Sequence, residues 1–144
     1  MKKRIIALFL AFILMISSMP VTVSAQEEED DPRASSYLNM YSASLTSLGV
    51  TGELNLAYQV FATDDMVDVG VFCLIVRNSN GTIHQTIWGS TANGLLAANT
   101  WYHVGDYTLN LTSGNTYYCS VYFIAEDANG SDVRKITTQL AVCP

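Results

Sequence analysis

Apolar and polar residues alternate with a period of two along most of this chain, and this period constrains its fold more than any other feature. Residues 53–60 read ELNLAYQV, and residues 107–111 read YTLNL. Such alternation is typical of strands with one buried face, whereas an amphipathic helix repeats every 3.6 residues. After residue 25 no stretch has a convincing helical period. The pattern therefore predicts an all-β protein.

Two further runs are apolar on both faces, which is typical of strands near the centre of a sheet. They are residues 70–77 (GVFCLIVR) and 116–125 (TYYCSVYFIA). The turn Asn78-Ser79-Asn80-Gly81 predicts a hairpin to a strand at 82–88. Further strands are expected within 37–45 and, after Asn129-Gly130, at 133–142. The sequence thus predicts one antiparallel β-sandwich domain of about seven strands, over residues 34–144.

Residues 1–25 have the organisation of a secretory signal peptide. The basic start Lys2-Lys3-Arg4 precedes an apolar run at 5–16, and Val23 and Ala25 are small residues suited to a cleavage site. The apolar run is too short to span a bilayer comfortably. We expect cleavage after Ala25, a secreted extracellular product, and no membrane anchor after cleavage.

The expected mature chain is strongly acidic. Residues 26–33 (QEEEDDPR) contain five consecutive carboxylates, which predicts a solvated acidic spacer. Residues 26–144 carry 4 basic and 13 acidic side chains, a net charge of −9. That charge argues against nucleic acid and anionic membrane surfaces as partners, because both require clusters of Lys and Arg.

The segment around Tyr117 resembles the tyrosine corner of immunoglobulin-like and fibronectin type III domains: an apolar Leu111, a turn at Gly114, and a tyrosine entering a strand. This resemblance implies that the Tyr117 hydroxyl turns back onto the chain just upstream. It also implies that 53–62 corresponds to strand B, 70–88 to C and C′, 107–111 to E, and the last two strands to F and G.

An antibody-like alternative stays open, because Cys73, Trp88 and Cys119 occur in the order of the antibody Cys…Trp…Cys pattern. It requires Cys73 on strand B, a position that 53–62 fills better. The chain has three cysteines, so one stays unpaired within a molecule whether or not Cys73 and Cys119 form a disulfide.

The chain also resembles an uncharacterised family of small proteins secreted by clostridial bacteria. The residues that carry this resemblance are 32–38 (PRASSYL), 41–43 (YSA), 52–54 (GEL) and 62–70 (ATDDMVDVG). The last segment is similar to the family pattern A-T-x-x-M-x-x-L-G, with Val69 in the place of leucine. The resemblance covers about residues 32 to 140. It implies export and a β-sandwich, and it brings no catalytic residues.

Acidic residues cluster in two predicted loops that lie at the same end of an immunoglobulin-like sandwich. Carboxylate oxygens are the ligands that Ca²⁺ prefers, so the two loops together predict a calcium site, the only cofactor that the sequence suggests. The alternative is a solvated acidic rim. The residues concerned are Asp64, Asp65 and Asp68 in the first loop, and Glu126, Asp127 and Asp132 in the second.

The two strands that are apolar on both faces predict a contact surface. If Val71, Cys73 and Ile75 face the core, the alternate side chains form an aromatic and aliphatic patch on the other face, which is typical of protein interfaces. The alternative is that 37–45 or 90–99 covers this patch. The predicted contact face comprises Phe72, Leu74, Val76, Tyr118, Tyr122 and Ile124.

The two histidines, His84 and His103, belong to no ordered catalytic motif. We therefore expect a secreted, non-catalytic interaction module that binds an extracellular protein or itself. The alternatives are a small secreted inhibitor or effector, and a hydrolase whose site the sequence does not reveal.

Overall fold

A computed structural model describes residues 36–144. The predicted signal peptide and acidic spacer lie outside the described residues. Strands account for 72% of the described part, which has no helix. Consequently, residues 36–144 include no helix that could span a membrane. The prediction of an all-β protein is confirmed.

Seven strands pair antiparallel in a single sheet that curls into a half-barrel. They are β1 (Leu38–Thr46), β2 (Glu53–Asn78), β3 (Ile83–Trp88), β4 (Leu96–Asn110), β5 (Thr116–Asp127), β6 (Gly130–Thr137) and β7 (Ala141–Val142). The number seven agrees with the sequence, although two predicted strands are fused in β2 and the last predicted strand is divided into β6 and β7.

β2 is the organising strand because its two halves have different neighbours. The first half lies between β1 and β4, and the second lies between β5 on one side and β3 with the start of β4 on the other. Between Phe61 and Met66 the register with β4 is irregular, and we assign the change of neighbours to this point. The predicted loop at Asp64, Asp65 and Asp68 is therefore wrong, since all three residues lie within β2.

The curl of the sheet brings its two inner faces together around one core. Tyr41 on β1 packs against Phe123 on β5, with ring centroids 5.5 Å apart. Leu54, Leu56 and Leu74 are among the largest fully buried side chains. Burial of each such side chain contributes about 1.5–3 kcal/mol, so this shared core holds the two halves of the sheet face to face.

A second irregularity, between Val71 and Cys73, inverts the faces of the following residues relative to the sequence prediction. Leu74 and Val76 are fully buried, whereas Ile75 is half-buried. The extra residue, Phe72, accepts a hydrogen bond at its carbonyl oxygen from the N–H of Gly89 (2.8 Å). Because one inserted residue shifts a strand's alternation by one, the assignment of Leu74 and Val76 to the outer contact face is wrong.

Tyr117 makes the hydrogen bond that the tyrosine corner implies. Its ring is fully buried. Its hydroxyl oxygen accepts a hydrogen bond from the backbone N–H of Thr112 (3.3 Å), five residues upstream. The predicted upstream contact of this hydroxyl is confirmed.

Candidate functional site

The acidic residues of the predicted calcium site are not gathered by the fold. Within residues 36–144, no group of three or more His, Cys, Asp or Glu side chains could hold a metal ion. Asp68 and Glu126 are opposite one another on β2 and β5. Asp127 Oδ1 accepts hydrogen bonds from the N–H groups of Asn129 (2.7 Å) and Gly130 (3.0 Å).

Two of the remaining carboxylates accept hydrogen bonds from backbone N–H groups. Asp132 Oδ2 accepts from the N–H of Tyr37 (2.8 Å), and Asp64 Oδ1 accepts from the N–H of Asp65 (2.8 Å). These carboxylates accept hydrogen bonds from backbone groups, and residues 36–144 offer the calcium prediction no site.

The outer face of β2, β3 and β5 retains four residues of the predicted contact face. Phe72, Tyr118 and Tyr122 are half-buried and Ile124 is buried. The most exposed aromatic side chain there is Trp88 of β3, at 63% exposure. Its ring meets Phe72 edge-on at 5.4 Å. Sequence reasoning did not include Trp88, although the predicted hairpin places it beside this face.

A second exposed apolar surface lies on the outer face of β1, β2 and β4. Its residues are Met40, Phe61, Trp101, Tyr102 and Val104, and we call it the Trp101 patch. Phe61 is opposite Met40 on one side and Tyr102 on the other, so the patch crosses three strands.

The rings of the Trp101 patch are in mutual contact. Centroid distances are 5.8 Å for Phe61–Trp101, 6.3 Å for Phe61–Tyr102 and 5.0 Å for Trp101–Tyr102. Trp101 is 49% exposed and Tyr102 is 47% exposed. Adjoining rings support one another while each leaves a face available to a partner.

A shallow depression of about 370 Å³ adjoins the Trp101 patch through Val104. Two of its lining residues are small, Ala57 on β2 and Gly105 on β4. Its polar groups come mainly from β1 and β2. The lining includes Ser42, Ser44, Ala57, Gln59, Val104 and Gly105.

Sequence reasoning missed the Trp101 patch because the chain around residue 100 is irregular. Asn99 has a positive φ of 54°, and β2 opposite it carries the irregularity between Phe61 and Met66. A search for alternation therefore passes over this region. The adjacent pair Trp101-Tyr102 was the one available signal. Successive side chains of a strand point to opposite faces, so two adjacent aromatic residues cannot both face the core.

The inner face carries a polar cluster formed by Tyr58, His103 and the carbonyl group of Gly94. The Tyr58 hydroxyl lies 2.6 Å from Gly94 O and 2.9 Å from His103 Nε2, which itself lies 2.7 Å from Gly94 O. All three contacts are satisfied when Tyr58 donates to Gly94 O and the Nε2–H of His103 is shared between Gly94 O and the Tyr58 oxygen. A Cβ on Gly105 would lie 2.8 Å from the Tyr58 hydroxyl, so a larger residue there would displace the Tyr58 side chain.

This cluster fastens the connection between β3 and β4 to the inner face of the sheet. Burial, and to a lesser extent the charge of Asp106, raises the pKa of Tyr58 to about 12. The hydroxyl therefore stays protonated and donates at any physiological pH. The other histidine, His84, packs its ring edge-on against Tyr117 at 5.2 Å. Both histidines are thus placed by structural contacts.

All three cysteines are free and buried. Cys73 is opposite Tyr122, and Cys119 is opposite Val76. Since Val76 belongs to the core while Cys73 follows the outward alternation, the two thiols lie on different faces of the sheet. Burial raises the pKa of Cys73, and it raises the pKa of Cys119 to about 12. Thiols whose pKa is raised by burial are poor nucleophiles at neutral pH.

Comparison with known proteins gives one structural likeness. No protein-family model matches the chain, and no curated protein matches it. The fold is similar to part of a family 76 glycoside hydrolase from a bovine Bacteroides thetaiotaomicron strain, with a TM-score of 0.47 and 19% sequence identity. The likeness covers 74% of this chain and 20% of the enzyme, so the chain corresponds to a small part of that protein's length. A likeness of this size assigns neither a fold family nor an activity.

Proposed function

We propose that this protein is a secreted, non-catalytic binding module whose partner is another extracellular protein, and that its sheet is a fibronectin type III-like sandwich. The pairing of strands supports the sandwich assignment. β1, the first half of β2 and β4 form one layer, which corresponds to A, B and E. β3, the second half of β2, β5 and β6 form the other, which corresponds to C′, C, F and G.

The observation that carries the proposal of binding is the Trp101 patch. Three aromatic rings in mutual contact, with Met40 and Val104 exposed beside them, form a continuous apolar surface across three strands. Exposed apolar surfaces of this kind mark interaction sites in soluble proteins. Tyr, Trp and Met are also enriched where proteins meet one another, and Trp and Tyr often dominate the binding energy.

Two observations support a non-catalytic role. His103 Nε2 lies within hydrogen-bond distance of Gly94 O and the Tyr58 hydroxyl, and burial raises the pKa of two of the three thiols. The organisation of residues 1–25 indicates export. The net charge of −9 expected for residues 26–144 favours a protein partner over nucleic acid or an anionic membrane.

The proposal is tested with residues 26–144 as bait in a pull-down from the culture and surroundings of the producing cells. The double variant Trp101→Ala/Tyr102→Ala is expected to lose partners that the unaltered chain retains. The matched control is Trp88→Ala, which removes a more exposed tryptophan from the opposite face and should leave the partners bound. Because all three side chains are exposed, melting temperatures should stay close to that of the parent.

Partners retained equally by both variants would contradict a binding role for the Trp101 patch. Loss with Trp88→Ala alone would instead support the face that contains Phe72 and Tyr122. Hydrolysis of a substrate by the pure protein would contradict the non-catalytic assignment.

A further inference from the structure

β4 has a free edge along the first layer of the sheet. Among residues 36–144, its only strand partner is β2. The N–H of Leu111 donates to Gly52 O (2.8 Å), which makes these two residues a hydrogen-bonded pair. In an antiparallel ladder such pairs alternate with non-bonded ones. The even-numbered residues of β4, from Tyr102 to Asn110, therefore direct their backbone N–H and C=O groups away from β2.

The hydroxyl group of Thr100 closes one end of this edge. It accepts a hydrogen bond from the N–H of Tyr102 (3.4 Å) and donates one to Tyr102 O (3.3 Å). Both contacts agree with the outward direction of the Tyr102 backbone groups. The open row begins two residues later and consists of Val104, Asp106, Thr108 and Asn110. Their eight outward backbone groups have no hydrogen-bond partner within the described part of the chain.

The edge of β4 lacks the devices that normally prevent a strand from pairing with another chain. Such devices are charged side chains, proline and short length. β6, an edge strand of the other layer, carries Asp132, Arg134 and Lys135 within eight residues. β4 has fifteen residues, no proline, and Asp106 as its one acidic or basic side chain apart from His103.

We propose that the edge of β4 binds an extended segment of the partner protein, which adds a strand beside residues 104–110 and places Lys or Arg opposite Asp106. This inference rests on the proposed binding function and names the class of partner. Added strands gain affinity from main-chain hydrogen bonds and specificity from alternate side chains. Val104 belongs both to the open edge and to the Trp101 patch, so an added strand extends directly from that patch.

The charge of the edge determines the chemistry of the occupant. Asp106 is exposed, and opposite charges directly across an antiparallel pair stabilise it, whereas like charges destabilise it. A second copy of this chain would bring its own Asp106 and no lysine or arginine within β4. It would also bring the same net negative charge. A basic segment of a different protein therefore fits the edge better than pairing between the β4 strands of two copies does.

The test uses an array of short synthetic peptides with alternating Thr and Val, in which one central Val is replaced in turn by Lys, Arg, Glu or Ala. Residues 26–144 are expected to bind the Lys and Arg peptides up to about fivefold more tightly than the Ala peptide, and the Glu peptide less tightly. Asp106→Lys should reverse this order. Asp106 is exposed, so its replacement should leave the melting temperature unchanged.

A second variant tests the backbone edge itself. Thr108→Pro removes one outward N–H at an edge position where proline is tolerated. It should lower the affinity for the Lys peptide roughly tenfold or more. The matched control is Ala43→Pro. The register of β1 directs the N–H of Ala43 away from β2 at the opposite edge of the same layer, so this control should bind the peptides normally.

Each outcome decides between the proposals. Absence of binding to every peptide, or binding unaffected by Thr108→Pro, would overturn strand addition. A partner from the pull-down that depends on Trp101 but not on Thr108→Pro would overturn strand addition while supporting the binding module. A dimer in sedimentation that Thr108→Pro abolishes would show that the occupant is a second copy.

Discussion

Tyr58 shows how one polar side chain fixes a connection of the fold. Its hydroxyl lies within hydrogen-bond distance of Gly94 O and His103 Nε2, so the chain entering β4 is tied to the inner face of β2. The adjacent Leu95 is fully buried. A buried hydroxyl that lost these partners would incur its full desolvation cost. The three groups of the cluster therefore stabilise the fold only when all are present.

The raised pKa of Tyr58 predicts a loss of stability in alkali. Its pKa in the folded protein is about 12, above the usual 10.0. The folded state therefore favours the protonated hydroxyl, and the resulting contribution is complete below pH 10 and lost as pH rises towards 12. We expect the free energy of unfolding of the parent to fall more steeply over this range than that of Tyr58→Phe. Urea unfolding at several pH values checks this, and parallel curves would contradict it.

At the scale of elements, the interruptions of β2 decide which residues meet. The extra residue at Phe72 sends Leu74 and Val76 into the core and turns Cys73 and Ile75 outward. Gly89 permits this arrangement, because a Cβ on Gly89 would overlap the carbonyl oxygen of Val71. The bulge and this glycine are therefore parts of one feature.

The inverted faces of β2 predict unequal costs for neighbouring substitutions. Leu74→Ala opens a cavity in the core and should lower the free energy of unfolding by about 2–5 kcal/mol. Ile75→Ala removes a half-buried side chain of the outer face and should cost clearly less. Chemical denaturation of both variants measures the difference. Equal costs, or a larger cost for Ile75→Ala, would mean that Ile75 and not Leu74 faces the core.

The sequence sufficed to predict the strands whose alternation is uninterrupted. Residues 53–60 fall within β2 as expected, residues 107–110 of the predicted 107–111 strand fall within β4, and the turn at Asn80-Gly81 does join β2 to β3. The bulge at Phe72 could not be predicted, because residues 71–76 are apolar on both faces and either alternation satisfies the pattern. The Trp101 patch escaped prediction for a related reason, since it lies where β2 and β4 are both irregular.

At the scale of the whole molecule, one core joins the two halves of the curled sheet. Cys119 and Cys143 lie in this core, while Cys73 is buried on the outer face of β2. The connection that Tyr58 and His103 fasten also contributes Leu95 to it. Because both halves of the sheet contribute residues to one core cluster, we expect them to unfold together in one cooperative transition.

Thiol labelling measures whether the core opens as one unit. In the native protein, Cys73 needs only a local fluctuation of the outer face to meet a reagent, whereas Cys119 and Cys143 need opening of the shared core. We therefore expect Cys73 to react first, and the other two to be protected by roughly a thousandfold or more, with rates that rise with urea as global unfolding does. Mass spectrometry of partly labelled protein distinguishes the sites. If Cys119 reacted as fast as Cys73, the two halves of the sheet would open independently, and the core contacts between β1 and β5 would not hold them together.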